Sequence, residues 1–190
     1  MLDIDIILSL KVGDIILDAG KTDLSTIIKD FQIIKDKAKG IFTHAMTVEE
    51  IIENKVCVSE AIDENVVGSP CITDFQTYLD SGNSLLLLRY KNEDVSKASI
   101  YHQLAIYYDG RSHYDFWGLF QQIWKFTKLY LNKNFIFHCK NTTKRFMCGS
   151  LAAFYKYYIY NDSFFANWTA LAPVDLACSD LFELKIINRS

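Results

Sequence analysis

The residues Phe146-Met147-Cys148-Gly149-Ser150-Leu151-Ala152-Ala153-Phe154-Tyr155 put a cysteine at the first turn of a predicted, strongly apolar helix. The apolar residues that share one helical face with Cys148 are Leu151, Ala152, Tyr155 and Ile159. Cys148 therefore heads the buried stripe, where the N–H groups of the first turn and the helix dipole favour a thiolate. The alternative is that Cys148 is simply a small core residue, because free cysteine is among the most buried residue types.

The length and composition of the chain predict one globular domain spanning residues 1–190. Half of the 190 residues are hydrophobic and only two are proline, so an ordered chain with a sizeable core is expected. The net charge is −3, and the lysines and arginines are spread along the chain. We therefore expect no nucleic-acid partner.

The first residues, Met1-Leu2-Asp3-Ile4-Asp5, are acidic and lack the basic region and cleavage site of a signal peptide. The longest apolar run covers residues 85–88, far short of the roughly 20 residues that span a bilayer. We expect a soluble protein without an integral membrane segment, either cytoplasmic or associated with a virion. The abundance of Ile, Lys and Asn is typical of an AT-rich genome and suggests a bacterium, a phage or a large virus.

The cysteines argue against two kinds of structural site. There are five of them, an odd number, and no two form a Cys-x-x-Cys pair. A disulfide framework and a zinc site are therefore both disfavoured, and we expect neither a metal nor a cofactor.

Hydrophobic periodicity predicts an α+β domain. The predicted strands are residues 15–17 after a turn at 11–14, 41–48, 55–62, 85–90 and 181–187. The predicted helices are residues 24–39 (capped by Asp23 and ended by Gly40), 94–108, 116–131 and 148–160. The polar turn at residues 141–144 supplies hydroxyl groups that could cap the Cys148 helix. In the helix 116–131 the residues expected to face the core are Phe116, Leu119, Phe120, Ile123, Trp124, Thr127 and Leu131.

Two neighbouring predicted strands carry polar side chains among apolar ones. His44 lies between Phe42 and Met46 on one side of its strand, and Glu60 lies on the next strand. Adjacent strands bring alternate side chains within hydrogen-bond reach, so contact between His44 and Glu60 is geometrically easy. The alternative is a histidine whose ring binds a backbone carbonyl.

Thiol catalysis needs a cysteine with a lowered pKa, a histidine to hold its proton and a polar group to orient the imidazole. Cys148, His44 and Glu60 form one such set. A helix packed on the sheet could bring Cys148 to the ring nitrogen that Glu60 does not use.

The other candidate residues are weaker. The chain has no phosphate-binding loop, dinucleotide-binding motif or serine nucleophile elbow. The remaining histidines and the acidic pairs, which have no recognisable partner motif, are His102, His113, His138, Asp3 and Asp5. Asp109 and Asp115 with Tyr114 could form a metal or sugar site, although a helix N-cap by Asp115 is the plainer interpretation.

Six short segments follow one another along the chain. They are Gly13-Asp14-Ile15-Ile16, Phe42-Thr43-His44-Ala45-Met46, Val58-Ser59-Glu60-Ala61, Tyr114-Asp115, Phe146-Met147-Cys148 with its Leu-Ala-rich helix, and Ala172-Pro173-Val174-Asp175-Leu176. In this order they resemble the permuted papain-fold hydrolases of the NlpC-like superfamily, in particular the YiiX/YebB-like group.

The resemblance covers most of the chain and implies a circularly permuted papain-like fold, in which a small antiparallel sheet packs against helices and the nucleophile starts a helix. It implies that His44 is the catalytic histidine, that Glu60 orients it and that Cys148 is the nucleophile. It also places Tyr114, Asp115, Gly149 and Ser150 near the substrate. The chain differs from the family after the cysteine, where Gly149-Ser150 replaces the usual Ser-Glu.

The function implied is a cysteine hydrolase of amide, ester or thioester bonds, with a peptide or acyl substrate. A cell-wall peptide amide is preferred as substrate, and a lipid or acyl group is the alternative. The Gly149-Ser150 difference leaves open a catalytically silent module, for example a virion component, and the same residues would also serve an acyltransferase.

Overall fold

The computed structural model describes residues 2–20, 23–62, 69–130 and 142–187. The strands of the main sheet are β1 (Ile15–Asp18), β2 (His44–Ile52), β3 (Lys55–Ile62), β4 (Ser69–Asp74), β5 (Leu85–Tyr90) and β8 (Phe182–Ile187). Two short strands, β6 (His113–Tyr114) and β7 (Arg145–Phe146), pair in parallel elsewhere. The helices are α1 (Leu2–Ser9), α2 (Asp23–Gln32), α3 (Gln76–Asp80), α4 (Ala98–Tyr108), α5 (Phe116–Tyr130), α6 (Cys148–Tyr160) and α7 (Pro173–Ala177). Single 3-10 turns cover residues Val95–Lys97, Ser163–Phe165 and Trp168–Ala170.

The six-stranded sheet has the order β4-β3-β2-β1-β5-β8, and every neighbouring pair is antiparallel. Helices cover both faces of its centre. This arrangement explains why β1 and the first four residues of β5 are unbroken apolar or buried runs rather than alternating ones.

Each face of the sheet has its own hydrophobic core. On one face Ala45 and Ala61 pack with α4, α6 and the 3-10 turns after α6. On the other face Met46 and Val48 pack with α1 and α3. The α6 face carries the larger core, because α6 itself is buried along nearly its whole length.

The structure confirms the α+β class and most of the predicted elements. Helix α6 begins at Cys148 as expected, and β2 and β3 lie side by side. Three boundaries differ: β2 begins at His44 rather than residue 41, α2 ends at Gln32 rather than residue 39, and the helix 94–108 opens with a 3-10 turn. The elements that the sequence analysis did not predict are α1, β4, α3, β6, β7 and α7.

The predicted core face of α5 is wrong. Phe116, Phe120 and Trp124 are exposed, together with Trp117, whereas the buried residues are Leu119, Gln122 and Phe126. Leu131, the last residue of the predicted stripe, lies outside the described residues. Periodicity gives the position of the aromatic stripe but not the direction in which the helix turns it. Here the helix turns a face that includes a glutamine toward the protein, and the aromatic stripe points outward.

A completely buried lysine ties α6 to the start of the sheet. Lys156 Nζ donates hydrogen bonds to Gly13 O at 2.8 Å and to the Tyr101 hydroxyl at 2.7 Å, and it forms an ion pair with Glu93. Gly13 has a φ of +92°, a conformation that favours glycine, and this turn directs its carbonyl to the lysine. The ion pair therefore fixes α6 relative to β1.

No helix within the described part of the chain is long and apolar enough to cross a membrane.

We expect Lys156→Met to lower the free energy of unfolding by about 3 kcal/mol, because the buried Glu93 carboxylate loses its cation. Urea denaturation followed by circular dichroism measures the change. The control is Lys55→Ala, which removes a largely exposed ion pair with Asp74 (3.4 Å) and should cost less than about 1 kcal/mol. Equal losses in the two variants would contradict this interpretation of Lys156.

Candidate functional site

The first turn of α6 is held by its own side chains. Met147 precedes the helix in an extended conformation, and its N–H donates to the Ser150 hydroxyl at 2.7 Å. The same hydroxyl donates to Met147 O at 2.9 Å. Ser150 therefore caps the helix, in place of the hydroxyl groups expected from residues 141–144, and its buried side chain is occupied by this role.

Gly149 is required by a close contact. A Cβ atom at this position would lie 2.8 Å from Leu171 O and 3.0 Å from the ring of Pro173. A serine there would force the segment before α7 away from α6. The Gly149-Ser150 pair thus has a structural explanation: the glycine admits the Pro173 segment, and the serine caps the helix.

His44 lies between Glu60 and Cys148. Its Nε2 is 2.5 Å from Glu60 Oε2, and its ring is also a hydrogen-bond partner of the Cys148 thiol. In the register of β2 and β3, Glu60 faces Met46, so His44 and Glu60 are diagonal neighbours on the sheet. Since Nε2 is used by Glu60, Nδ1 is the nitrogen left for the sulfur. The structure brings the three predicted residues together.

The thiol of Cys148 reaches this point from the opposite core. Cys148 packs in the cluster on the α6 face, and its Sγ is 3.8 Å from Thr43 O, just before β2 begins. Glu60 lies on the face that packs with α3. His44 can contact both because it occupies the first position of β2, where the end of the strand leaves both faces within reach.

Two residues that the sequence analysis missed hold Glu60 in place. The Thr73 hydroxyl donates to Oε1 and the Tyr78 hydroxyl donates to Oε2. The Tyr78 ring also stacks on His44, with centroids 6.1 Å apart and planes 11° apart. Thr73 lies on β4, which contains Pro70; proline is tolerated in an edge strand, and that rule could have identified β4.

The charges of the site favour an ion pair. Burial by itself would raise the pKa of the Cys148 thiol, but the His44 imidazolium and the N–H groups of Ala45 and Gly149 outweigh it and lower the pKa below 9.0. Burial would lower the pKa of His44, yet the Cys148 thiolate and the Glu60 carboxylate raise it well above 6.5. Thiolate and imidazolium therefore stabilise each other between these two pKa values.

The pKa of Glu60 is lowered from 4.5. Burial opposes this shift, and the hydrogen bond and charge of His44 with the hydroxyls of Thr73 and Tyr78 cause it. Glu60 is thus a buried carboxylate with a full set of donors, which can hold the imidazolium in one orientation.

Tyr114 and Asp115 have different roles. Tyr114 is buried and lines a recess beside Cys148. Asp115 Oδ1 accepts the Gly118 N–H at 2.9 Å, so it caps α5, as the plainer interpretation proposed. Asp109 lies at the C-terminal end of α4.

The remaining candidates lie apart from this site. His102 Nδ1 binds Glu49 at 2.6 Å, and His113 is exposed on β6. Among the described residues, the group that could hold a metal is Glu49, Glu50 and Cys57, next to the β-bulge in β2. Asp5 is exposed on α1, while His138 and the side chain of Asp3 fall outside what the structure describes.

No family model matches the chain, and a search of curated proteins found no match.

Glu60→Gln should reduce the free energy of unfolding by about 2 kcal/mol at pH 7, since it removes a charge that three donors share. A carboxyl group with a lowered folded pKa stabilises the fold fully above its unfolded pKa and loses that contribution as the pH falls through the folded value. The difference between the protein with Glu60 and the Glu60→Gln variant should therefore shrink as the pH falls below 4.5, the usual value.

Urea denaturation at pH 7 and pH 4 measures this difference. Both proteins carry Cys148→Ala, so that the thiol does not titrate. A difference that stays the same at the two pH values would show that Glu60 is not charged in the folded protein.

Proposed function

We propose that this protein is a cysteine-dependent hydrolase of amide, ester or thioester bonds, with a circularly permuted papain-like fold. The observation that carries the proposal is His44, whose ring binds Glu60 at 2.5 Å on one side and the Cys148 thiol on the other. The chain order of histidine, acid and cysteine agrees with a permuted arrangement, since such a site can be built from different chain orders.

The reaction follows from the protonation states. The Cys148 thiolate attacks the substrate carbonyl carbon, an S–C bond forms, and the carbonyl oxygen becomes negatively charged. N–H groups at the start of α6 are placed to stabilise this oxygen, and one such donor contributes about 3 kcal/mol at related sites. His44 Nδ1 then gives its proton to the leaving amine, alkoxide or thiolate as the C–X bond breaks.

The second half of the reaction restores the enzyme. Water attacks the acyl–sulfur bond while His44 accepts its proton, and the S–C bond breaks to release the carboxylic acid and the thiolate. Glu60 keeps Nδ1 directed at the sulfur in both halves. A cell-wall peptide amide is the proposed substrate, and transfer of the acyl group to an amine or alcohol would use the same residues.

A silent module is the main alternative. The differences after the cysteine gave it support, but Gly149 and Ser150 have structural roles that leave the thiol, His44 and Glu60 in contact. The hydrolase is therefore the better supported function.

Alkylation of Cys148 by iodoacetamide tests the proposal. The lowered pKa of Cys148 and the raised pKa of His44 predict a rate that stays nearly constant as the pH falls from 9 toward 6. Cys57 and Cys178, whose pKa values burial raises, should slow about tenfold per pH unit. At pH 6 Cys148 should react at least about 30-fold faster than either.

Peptide mapping by mass spectrometry measures all three rates in one sample. His44→Ala should reduce the rate at Cys148 to that of the other cysteines, while His113→Ala, on exposed β6, should not. If Cys148 reacts no faster than Cys57, or ignores the loss of His44, the hydrolase proposal is wrong and the silent module is favoured.

A lipid or acyl substrate is the second candidate. It is favoured by the exposed aromatic face of α5, formed by Phe116, Trp117, Phe120 and Trp124. Amphipathic aromatic rings on one side of a helix suit the boundary between water and lipid.

We expect vesicles of phosphatidylcholine with phosphatidylglycerol to sediment the protein if this candidate is right. The double variant Trp117→Gln with Phe120→Gln should then bind at least about fivefold more weakly, and Val95→Gln, at an exposed apolar position on a different element, should bind normally. Wild-type protein that stays in the supernatant would remove the support for a lipid substrate.

A further inference from the structure

A narrow recess opens beside the sulfur of Cys148. It encloses about 230 Å³ of space, its open mouth included, between α2, α5 and the first turn of α6. Its apolar walls include Ile28, Leu119 and Pro173. The space is smaller than the sites that hold drug-sized ligands, so it fits a short group rather than a long chain.

Three buried polar atoms belong to residues that line this recess and have no hydrogen-bond partner in the described structure. They are Gln32 Nε2, Gln122 Nε2 and Thr43 Oγ1. Both glutamines are at least nine-tenths buried. Buried amide groups are normally bonded, since each unpaired donor costs free energy, so the concentration of unpaired ones in the recess calls for a partner.

The orientation of Gln32 is set by the backbone. Its Oε1 accepts the Val174 N–H at 3.2 Å, which leaves its Nε2 as the free end. Gln122 lies on α5, on the face that the helix turns inward. The two side chains thus supply N–H donors from two different helices to one small space.

The recess favours a neutral partner. No charged side chain is found among the described residues that line it, and the Cys148 thiolate beside it is negative. A carboxylate would enter without a counter-charge, which is costly. The matching group is a neutral acceptor, the carbonyl oxygen of an amide or ester.

We propose that this recess is the acyl subsite of the enzyme, and that Gln32 and Gln122 bind a neutral carbonyl oxygen in the acyl part of the substrate, next to the bond that is cleaved. This inference rests on the proposed function and specifies its substrate class: a short, peptide-like acyl group instead of a plain alkyl chain. Glutamine N–H donors on an apolar wall reject an alkyl chain, because it leaves them unpaired.

Two esters of equal chain length test the subsite. They are the p-nitrophenyl esters of N-acetylglycine and of pentanoic acid, and the burst of p-nitrophenolate measures acylation of Cys148. The rate ratio between the esters, divided by the same ratio for free N-acetylcysteine, removes their intrinsic difference in reactivity. Wild-type protein should favour the N-acetylglycyl ester.

Gln32→Met and Gln122→Met remove the donors at nearly constant size. Each should lower the ratio about fivefold, and the double variant at least about tenfold, with the pentanoyl rate unchanged. Gln121→Met, the neighbouring residue on α5 that does not line the recess, should keep the wild-type ratio. An unchanged ratio in the double variant would overturn the subsite while the hydrolase remained supported.

A binding measurement separates the subsite from catalysis. In Cys148→Ala protein, N-acetylglycinamide at millimolar concentration should shift the side-chain amide NMR signals of Gln32 and Gln122 but not that of Gln121. Shifts without any burst from either ester would support the subsite and count against the hydrolase. Signals that do not move would overturn the subsite and show that solvent alone meets these donors.

Discussion

The site depends on one packing constraint: the first turn of α6 must lie against the residues where β2 begins. Cys148 heads a helix that is buried along one side, and its sulfur contacts the carbonyl of Thr43. Lys156 fixes the same helix two turns later through Gly13 and Glu93. Because both ends of this contact are held, the thiol and the His44 ring meet without any flexible segment between them.

The buried Glu60 carboxylate makes that meeting chemically useful. A carboxylate in a core is costly unless donors surround it, and here Thr73, Tyr78 and His44 supply them. Those bonds keep it negative, and its charge helps to keep His44 positive. The positive ring in turn stabilises a thiolate that burial alone would protonate. The sheet, α3 and α6 therefore each contribute one charge or donor to a single chain of interactions.

The two positions that differ from the related family are part of this packing. Gly149 allows the backbone of Leu171 and the ring of Pro173 to approach α6, and this same approach closes one side of the recess. Helix α5 closes another side with Gln122, and so its aromatic residues are left on the outside. The orientation of α5 and the identity of residue 149 are thus two consequences of how the space beside the sulfur is enclosed.

The sequence by itself determined the local features: the helix beginning at Cys148, the paired strands with His44 and Glu60, and the capping role of Asp115. Each follows from periodicity or from residue type over a few positions. Tertiary structure decided which residues meet. Thr73 and Tyr78 reach Glu60 from β4 and α3, Gln32 and Gln122 meet from separate helices, and α5 buries a glutamine while exposing its tryptophans. Such contacts join distant segments, and hydrophobic pattern cannot specify them because it records whether a residue is apolar and not what it faces.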